Sequence, residues 1–271
     1  MVIYMGKITL QQEQFINEFR CERLTSNLEN KSLIQNFKNK RNESLASQLR
    51  ENAWMEDCEG INAYYVIKHH GEIVLYFSLQ CGALFRPFDE SKFEQELKKI
   101  KDTVVPILNK KDCTKKVKRK GQIKNALKLI EQDRVREFNK LIYRVQSTHA
   151  GIELVHFCAN ENTIAKIDNP IGNHTIGEML FWHFLVPKVL EIKELIGCQY
   201  LFLFAADLTE SQDLVSYYKV ALHFCQPNDI STNKPYYDFK CIFMCQNLSD
   251  LENNRDRYLI NFNPDESDII A

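Results

Sequence analysis

Three groups of residues in this chain have the types and spacing to do chemistry. They are two adjacent tyrosines, Tyr217 and Tyr218; Glu153 and His156, three residues apart; and a polar loop bounded by glycines, Gly172-Asn173-His174-Thr175-Ile176-Gly177. A phenol of ordinary pKa, ~10, keeps its proton at neutral pH and can donate it. A carboxylate or imidazole can take a proton, directly or through water, although each is more often a hydrogen-bonded core group. The loop stands before a helical pattern, so free backbone N–H groups and the helix dipole make it an anion site, with phosphate the obvious guest.

The elements that must position these groups are legible between 151 and 224. Ile152 to Ala159 is an apolar run short enough for a strand buried on both faces. Strand alternation sends Glu153 and His156 to opposite faces. A helix begins at Thr175, with Ile176, Met179, Leu180, His183 and Phe184 at helical spacing, and Thr175 with Glu178 fits a capping box. Tyr200 to Ala206 is a second buried strand, followed by a helix carrying Leu214, Tyr217, Tyr218, Ala221 and Leu222. A crossover of this length makes the two strands parallel neighbours. Asp207, just past the second strand, reads as a helix cap.

This strand, loop, helix, strand, helix order resembles the acyl-CoA-binding core of the GNAT N-acetyltransferase superfamily. Gly172 to Gly177 stands at the family's Q/R-x-x-G-x-G/A loop, and Tyr217-Tyr218-Lys219-Val220-Ala221-Leu222-His223-Phe224 at its F/Y-Y-x-x-x-G-F run. The chain departs from the pattern in having Gly172 for Gln or Arg, Thr175 for the first Gly, a tyrosine run one residue longer, and a loop extended by Ala165–Pro170. The resemblance implies an α/β fold with a mixed sheet that splays at the cofactor strand. Backbone groups of Phe157, Cys158 and Ala159, with Asn160 at the strand's end, would pair with the pantetheine arm. The diphosphate would lie over Gly172, Asn173, His174, Thr175, Ile176 and Gly177, with His174 or Asn173 standing in for the missing Arg or Gln. Glu178, as a capping residue, would put negative charge close by. Tyr218 would be the general acid toward the thiolate, with Tyr217 its rival, and Glu153 or His156 the base. Acetyl-CoA is the implied co-substrate and an amine the acceptor, on a small molecule, a protein or aminoacyl-tRNA. The N-terminal half is also similar to acetyltransferase toxins that modify aminoacyl-tRNA. The altered loop leaves open a second reading, a binding or scaffold protein that keeps the fold without cofactor affinity.

The remaining sequence bounds these readings. The chain has 271 residues, 44% of them hydrophobic and 11% aromatic, enough for a sizeable core. A net charge of −1 makes the whole molecule no magnet for nucleic acid. Nine cysteines without metal-type pairing read as free thiols of a reducing, cytoplasmic setting, and no apolar run is long enough for a bilayer. Residues 1–10 fit an edge strand, Gln11–Arg20 a helix, and 29–56 one or two amphipathic helices. Ala63–Lys68 and Glu72–Gln80 form a hairpin about His69-His70-Gly71. Taken without a Cys or carboxylate partner, the two histidines read as a solvated turn, and no metal is expected.

Residues 88–147 read as a helical insertion with a Lys-rich tip. From Lys110 to Lys124 it carries eight basic residues against Asp112, either a solvated tip or a nucleic-acid contact. A strand over Tyr236–Gln246 completes the sheet. The expected organisation is thus 1–87, the N-terminal half; 88–147, the insertion; 148–248, the acyl-CoA half; and 249–271, an acidic tail.

Overall fold

The computed structural model describes residues 9–87, 95, 98, 102, 121, 125, 128, 145–172, 174–206, 209–233 and 241–260. The first eight residues, the Lys-rich stretch apart from Gly121, Asn173, Asp207, residues 234–240 and the last eleven lie outside them, and with them the expectations placed there. Two compact units emerge, Met1–Leu84 with His149–Ala271, and Phe85–Thr148. All candidate site residues belong to the first.

Six strands lie side by side in sequence order: β1 (Phe19–Arg23), β2 (Ala63–His69), β3 (Glu72–Pro87), β4 (Val145–Ala159), β5 (Tyr200–Ala205) and β6 (Ile242–Asn247). Neighbours run antiparallel for β1–β2, β2–β3 and β5–β6, and parallel for β4–β5. β4 returns antiparallel along β3, its end tied to the start of that strand where Asn160 N donates to Val74 O at 2.8 Å. This is the mixed α/β sheet that the sequence implies.

Before the hairpin come α1 (Leu10–Asn17), α2 (Asn30–Leu33), α3 (Glu43–Glu51) and α4 (Ala53–Glu59). Thr9 and Gln12 cap α1 reciprocally: Gln12 N donates to Thr9 Oγ1 and Thr9 N to Gln12 Oε1. The helix expected to reach Arg20 stops at Asn17. From Phe19 the chain pairs with β2, Phe19 opposite His69, because an edge of the hairpin is there to be covered.

After β4 come a short α5 (Glu161–Ile164) and one long helical rod. The rod comprises α6 (Ile176–Leu180), a π-turn (Phe181–Leu185) and α7 (Val186–Ile196). Pro187 has no N–H to return to His183, and its ring would meet that carbonyl, so the rod widens ahead of it. Met179, Leu180, Phe181, Trp182, Leu185, Val186 and Val189 are all completely buried. At roughly 1.5–3 kcal/mol for each large side chain buried, packing outweighs the roughly 1 kcal/mol that Gly177 costs a helix.

α8 (Asp213–Val220) and α9 (Leu248–Ile260) complete the unit. The segment from 249 was expected to be an acidic tail. Instead its first turns form a helix whose Leu248, Leu251 and Tyr258 are buried, with Tyr258 stacked on Trp182 at 5.6 Å. Its many acidic and amide residues lie on the other side and mask the period in the sequence. No described helix is long and apolar enough to cross a membrane.

The sheet separates two layers. One holds Ile152, Leu154, the α6–α7 rod, α8 and α9; the other holds α3, α4, Tyr64, Tyr76 and Cys158. Phe202 crosses close over its neighbours, where a Cβ on Gly82 would stand 2.4 Å from its ring, so glycine is required there.

Candidate active site

The parallel ladder between β4 and β5 has only three rungs, Gly151–Tyr200, Ile152–Leu201 and Glu153–Phe202. Beyond them β4 runs on to Ala159, while β5 stays with β6 as far as Ala205–Ile242. A wedge therefore opens between two inner strands, edged by the β4 backbone.

Its cause is visible in the side chains. Ile152 and Leu154 face the α6–α7 layer, and so does Phe157, which meets Phe181 edge-on at 6.0 Å. His156 and Cys158 face the other layer. Strict alternation cannot place 154 and 157 on one face. An extra residue at Val155 resets the phase, which is the action of a β-bulge, and a bulge bends its strand. The expectation that Glu153 and His156 lie on opposite faces is thereby corrected, for both line one cleft.

That cleft measures about 680 Å³, and among the described residues its lining carries Glu56, Glu153 and His156 but no lysine or arginine. His156 Nδ1 lies 2.7 Å from Ser78 Oγ, and its ring stacks on Tyr64 at 5.6 Å. Burial pushes the imidazole down to about 4 against the opposing pull of Glu56, so it is neutral at pH 7. Burial also raises Glu153. For Glu56 burial acts upward, but hydrogen bonds from Tyr64, Asn62 and Gln48 outweigh it and hold the carboxyl below its usual range. Those bonds measure 2.7 Å from Tyr64 Oη and 2.9 Å from Asn62 Nδ2 to Oε2, and 2.8 Å from Gln48 Nε2 to Oε1. The cleft thus holds a fixed anion, a neutral imidazole and a carboxyl of raised pKa. It favours a cation or an amine and repels anions.

The two tyrosines, from the opposite layer, have different neighbours. Tyr218 is 8% exposed and lies edge-on to Phe224, and its hydroxyl has no hydrogen-bond acceptor among the described residues. Burial raises its phenol, with Tyr217 and the Cys158 thiol of β4 adding to the effect. Tyr217 turns to the loop instead. Burial raises it too, while a hydrogen bond with the Thr175 side chain opposes the rise. Its Oη would be 3.4 Å from a Cβ on Gly177.

At the loop, Gly172 takes a left-handed φ of +65°, open to glycine without strain. Thr175 Oγ1 accepts from Glu178 N at 3.1 Å and caps α6. The expected reciprocal half of the box is not made. Glu178 Oε1 lies 2.9 Å from His174 Nδ1 instead, and the His174 ring meets Tyr258 edge-on at 4.9 Å. Part of the carboxylate's charge is thereby turned away from the turn. Ile176 is buried. At the end of β4, Ala159 O accepts from Asn39 Nδ2 at 3.0 Å and from Cys158 Sγ at 3.8 Å. Asn160 is structural, with its Nδ2 donating to Ile73 O.

Sequence reading missed Glu56, Tyr64, Asn62, Gln48 and Ser78. The available signal was polar: Ser78 and Gln80 alternate with apolar neighbours in a strand otherwise fit for burial on both faces.

No protein-family model matches the chain, and no curated protein does. Among solved structures it is similar to a mutant of KacT (TM-score 0.49, 14% identity, 87% of this chain and 98% of that one). It is also similar to AtaTR bound with AcCoA (0.47, 13%, 88% and 98%) and to AtaT complexed with acetyl-methionyl-tRNAfMet (0.46, 13%, 87% and 98%).

Proposed function

We propose that the protein transfers an acyl group, acetyl foremost, from acyl-CoA to an amine. The observation that carries this reading is the parting of β4 from β5 after Glu153. The pantetheine arm enters the wedge along the main chain of Phe157, Cys158 and Ala159, and the diphosphate lies over Gly172 and the turn from His174 to Gly177. The amine enters the anionic cleft on the other side. Its nitrogen attacks the thioester carbonyl and its proton passes, through water, to Glu153. His156, neutral and oriented by Ser78, accepts a hydrogen bond from that water. The C–S bond breaks, and the departing sulfur takes its proton from Tyr218.

The test is a thermal shift with acetyl-CoA, followed by chromatographic detection of CoA release with polyamines, peptide N-termini and aminoacyl-tRNA as acceptors. A shift with turnover supports the enzyme. A shift without turnover on any amine leaves a cofactor-binding protein, and no shift leaves the scaffold reading.

Two further results are expected. In Gly177→Ala the new methyl meets Tyr217 Oη at 3.4 Å and Thr175 Oγ1 at 4.0 Å, both ordinary contacts, and an alanine suits a helix better by roughly 0.5–1 kcal/mol. Stability should therefore hold or rise, while acetyl-CoA affinity falls because the backbone can no longer approach the diphosphate. Unchanged affinity would remove the diphosphate from this turn. Glu153 works only ionised, and its pKa is raised. The rate should fall with decreasing pH along a limb centred above the ordinary carboxylate value of ~4.3, and Glu153→Gln should abolish that limb in a pH–rate profile.

A further inference from the structure

Away from the wedge, the turn between β2 and β3 meets the end of α1. Glu18, 51 residues away in sequence from His69, brings Oε2 to 2.9 Å from His69 Nε2 and 3.3 Å from His70 Nε2. The three donor atoms all lie within 4.8 Å of one another. This overturns the expectation that the histidines lack a carboxylate partner: it lies near them in space though not in sequence.

We infer that Glu18, His69 and His70 form a binding site for a divalent transition ion, Zn²⁺ foremost. Zinc holds imidazole nitrogen and carboxylate oxygen at about 2.0–2.2 Å, with a tetrahedral arrangement. Tetrahedral geometry then separates two donors by about 3.3–3.5 Å. The two separations from Glu18 Oε2, 2.9 and 3.3 Å, lie below and at the lower end of that range, and the two imidazole donors lie within 4.8 Å of each other, so an ion enters once the three side chains shift to equalise these distances. Two imidazoles and one carboxylate, with water in the fourth position, form a donor set suited to zinc and its neighbours and unsuited to Ca²⁺ or Mg²⁺.

The backbone holds two of the donors in place. His69 is paired to Phe19 in β1 and Glu72 in β3, and its ring packs on Phe19 at 4.7 Å. His70 and Gly71 carry φ of +48° and +84°, the two left-handed residues of a two-residue hairpin turn. Asparagine is the ordinary choice at the first of these positions. A histidine there costs the turn something and presents an imidazole beside Glu18. The ion would add to the ties between the α1–β1 junction and the hairpin, which the β1–β2 ladder and the packing of Phe15 and Phe19 on the His69 ring already join.

His70→Asn is the decisive variant, since asparagine suits the turn at least as well and removes the imidazole; Glu18→Gln removes the charge and leaves the shape. The probe is Co²⁺, titrated into the full chain and followed by visible absorption, with Zn²⁺ as the competing ion. One equivalent should give nitrogen- and oxygen-type bands without a sulfur-to-cobalt charge-transfer band. Because loss of even a supporting partner weakens metal sites by about 10–100-fold, each variant should bind at least tenfold more weakly. Zn²⁺ should raise the melting temperature of the unaltered protein and of neither variant. Equal Co²⁺ affinity in all three proteins, a charge-transfer band from cysteine thiolates, or no binding at all would overturn the site. None of these readouts depends on acyl transfer.

Discussion

In Tyr218→Phe, acyl transfer should fall by about 10²–10⁴-fold, the usual worth of a positioned acid, while acetyl-CoA still raises the melting temperature. Burial makes the phenolate costly, so in the proposed reaction Tyr218 would meet the leaving sulfur as an O–H donor at every pH in the working range. Its hydroxyl has no protein acceptor to give up among the described residues, so phenylalanine preserves packing and costs only the proton. Tyr217→Phe makes the contrast. Its hydroxyl serves Thr175 and the turn at Gly177, so its loss should raise KM for acetyl-CoA and leave kcat nearly unchanged. If Tyr217→Phe lost kcat and Tyr218→Phe did not, the two roles would be exchanged. If both kept full kcat, no tyrosine on α8 would be the acid.

The two tyrosines show where sequence reading stops. Helical spacing places both on α8, but neighbours 100° apart on a helix face different structures. Only the fold reveals that one meets the loop and the other packs edge-on to Phe224. The core itself was legible because parallel strands buried on both faces read as unbroken apolar runs, and because Thr175 marks a helix start that the chain uses. Legibility failed wherever a long-range partner decides. Phe19–Arg23 continues a helical pattern locally and becomes a strand because the hairpin edge is beside it. Glu153 and His156 share a face because of an extra residue at Val155, a position that no glycine or proline announces. Glu18 joins the two histidines through a pairing between segments 51 residues apart.

The acidic segment Glu56-Asp57 is the sharpest case, and its second residue supports the largest stability prediction. Asp57→Ala should destabilise the fold by about 3–4 kcal/mol, read as a lowered urea midpoint at unchanged m-value. The Asp57 side chain is completely shielded from solvent. Oδ1 accepts from Arg23 Nε at 2.6 Å and Tyr64 N at 2.8 Å; Oδ2 accepts from Thr25 Oγ1 at 2.7 Å and Thr25 N at 3.1 Å. Arg23 is 38% exposed and can turn to water, so the ion pair itself contributes little. The loss comes from donors that cannot turn away, above all the Tyr64 and Thr25 backbone N–H groups, each costing about 1–3 kcal/mol when buried without an acceptor. The exposed neighbour Glu59→Ala should stay within about 0.5 kcal/mol. A loss below about 1 kcal/mol in Asp57→Ala, the low end for a single orphaned donor, would mean that water or relaxation replaces the carboxylate. The effect should also reach the cleft. Asp57 fixes the Tyr64 backbone and the Tyr64 hydroxyl fixes Glu56, which in the proposed reaction would supply the anion that draws in the amine. Below the melting temperature, where Asp57→Ala is still folded, KM for the amine should therefore rise while acetyl-CoA affinity stays as it was.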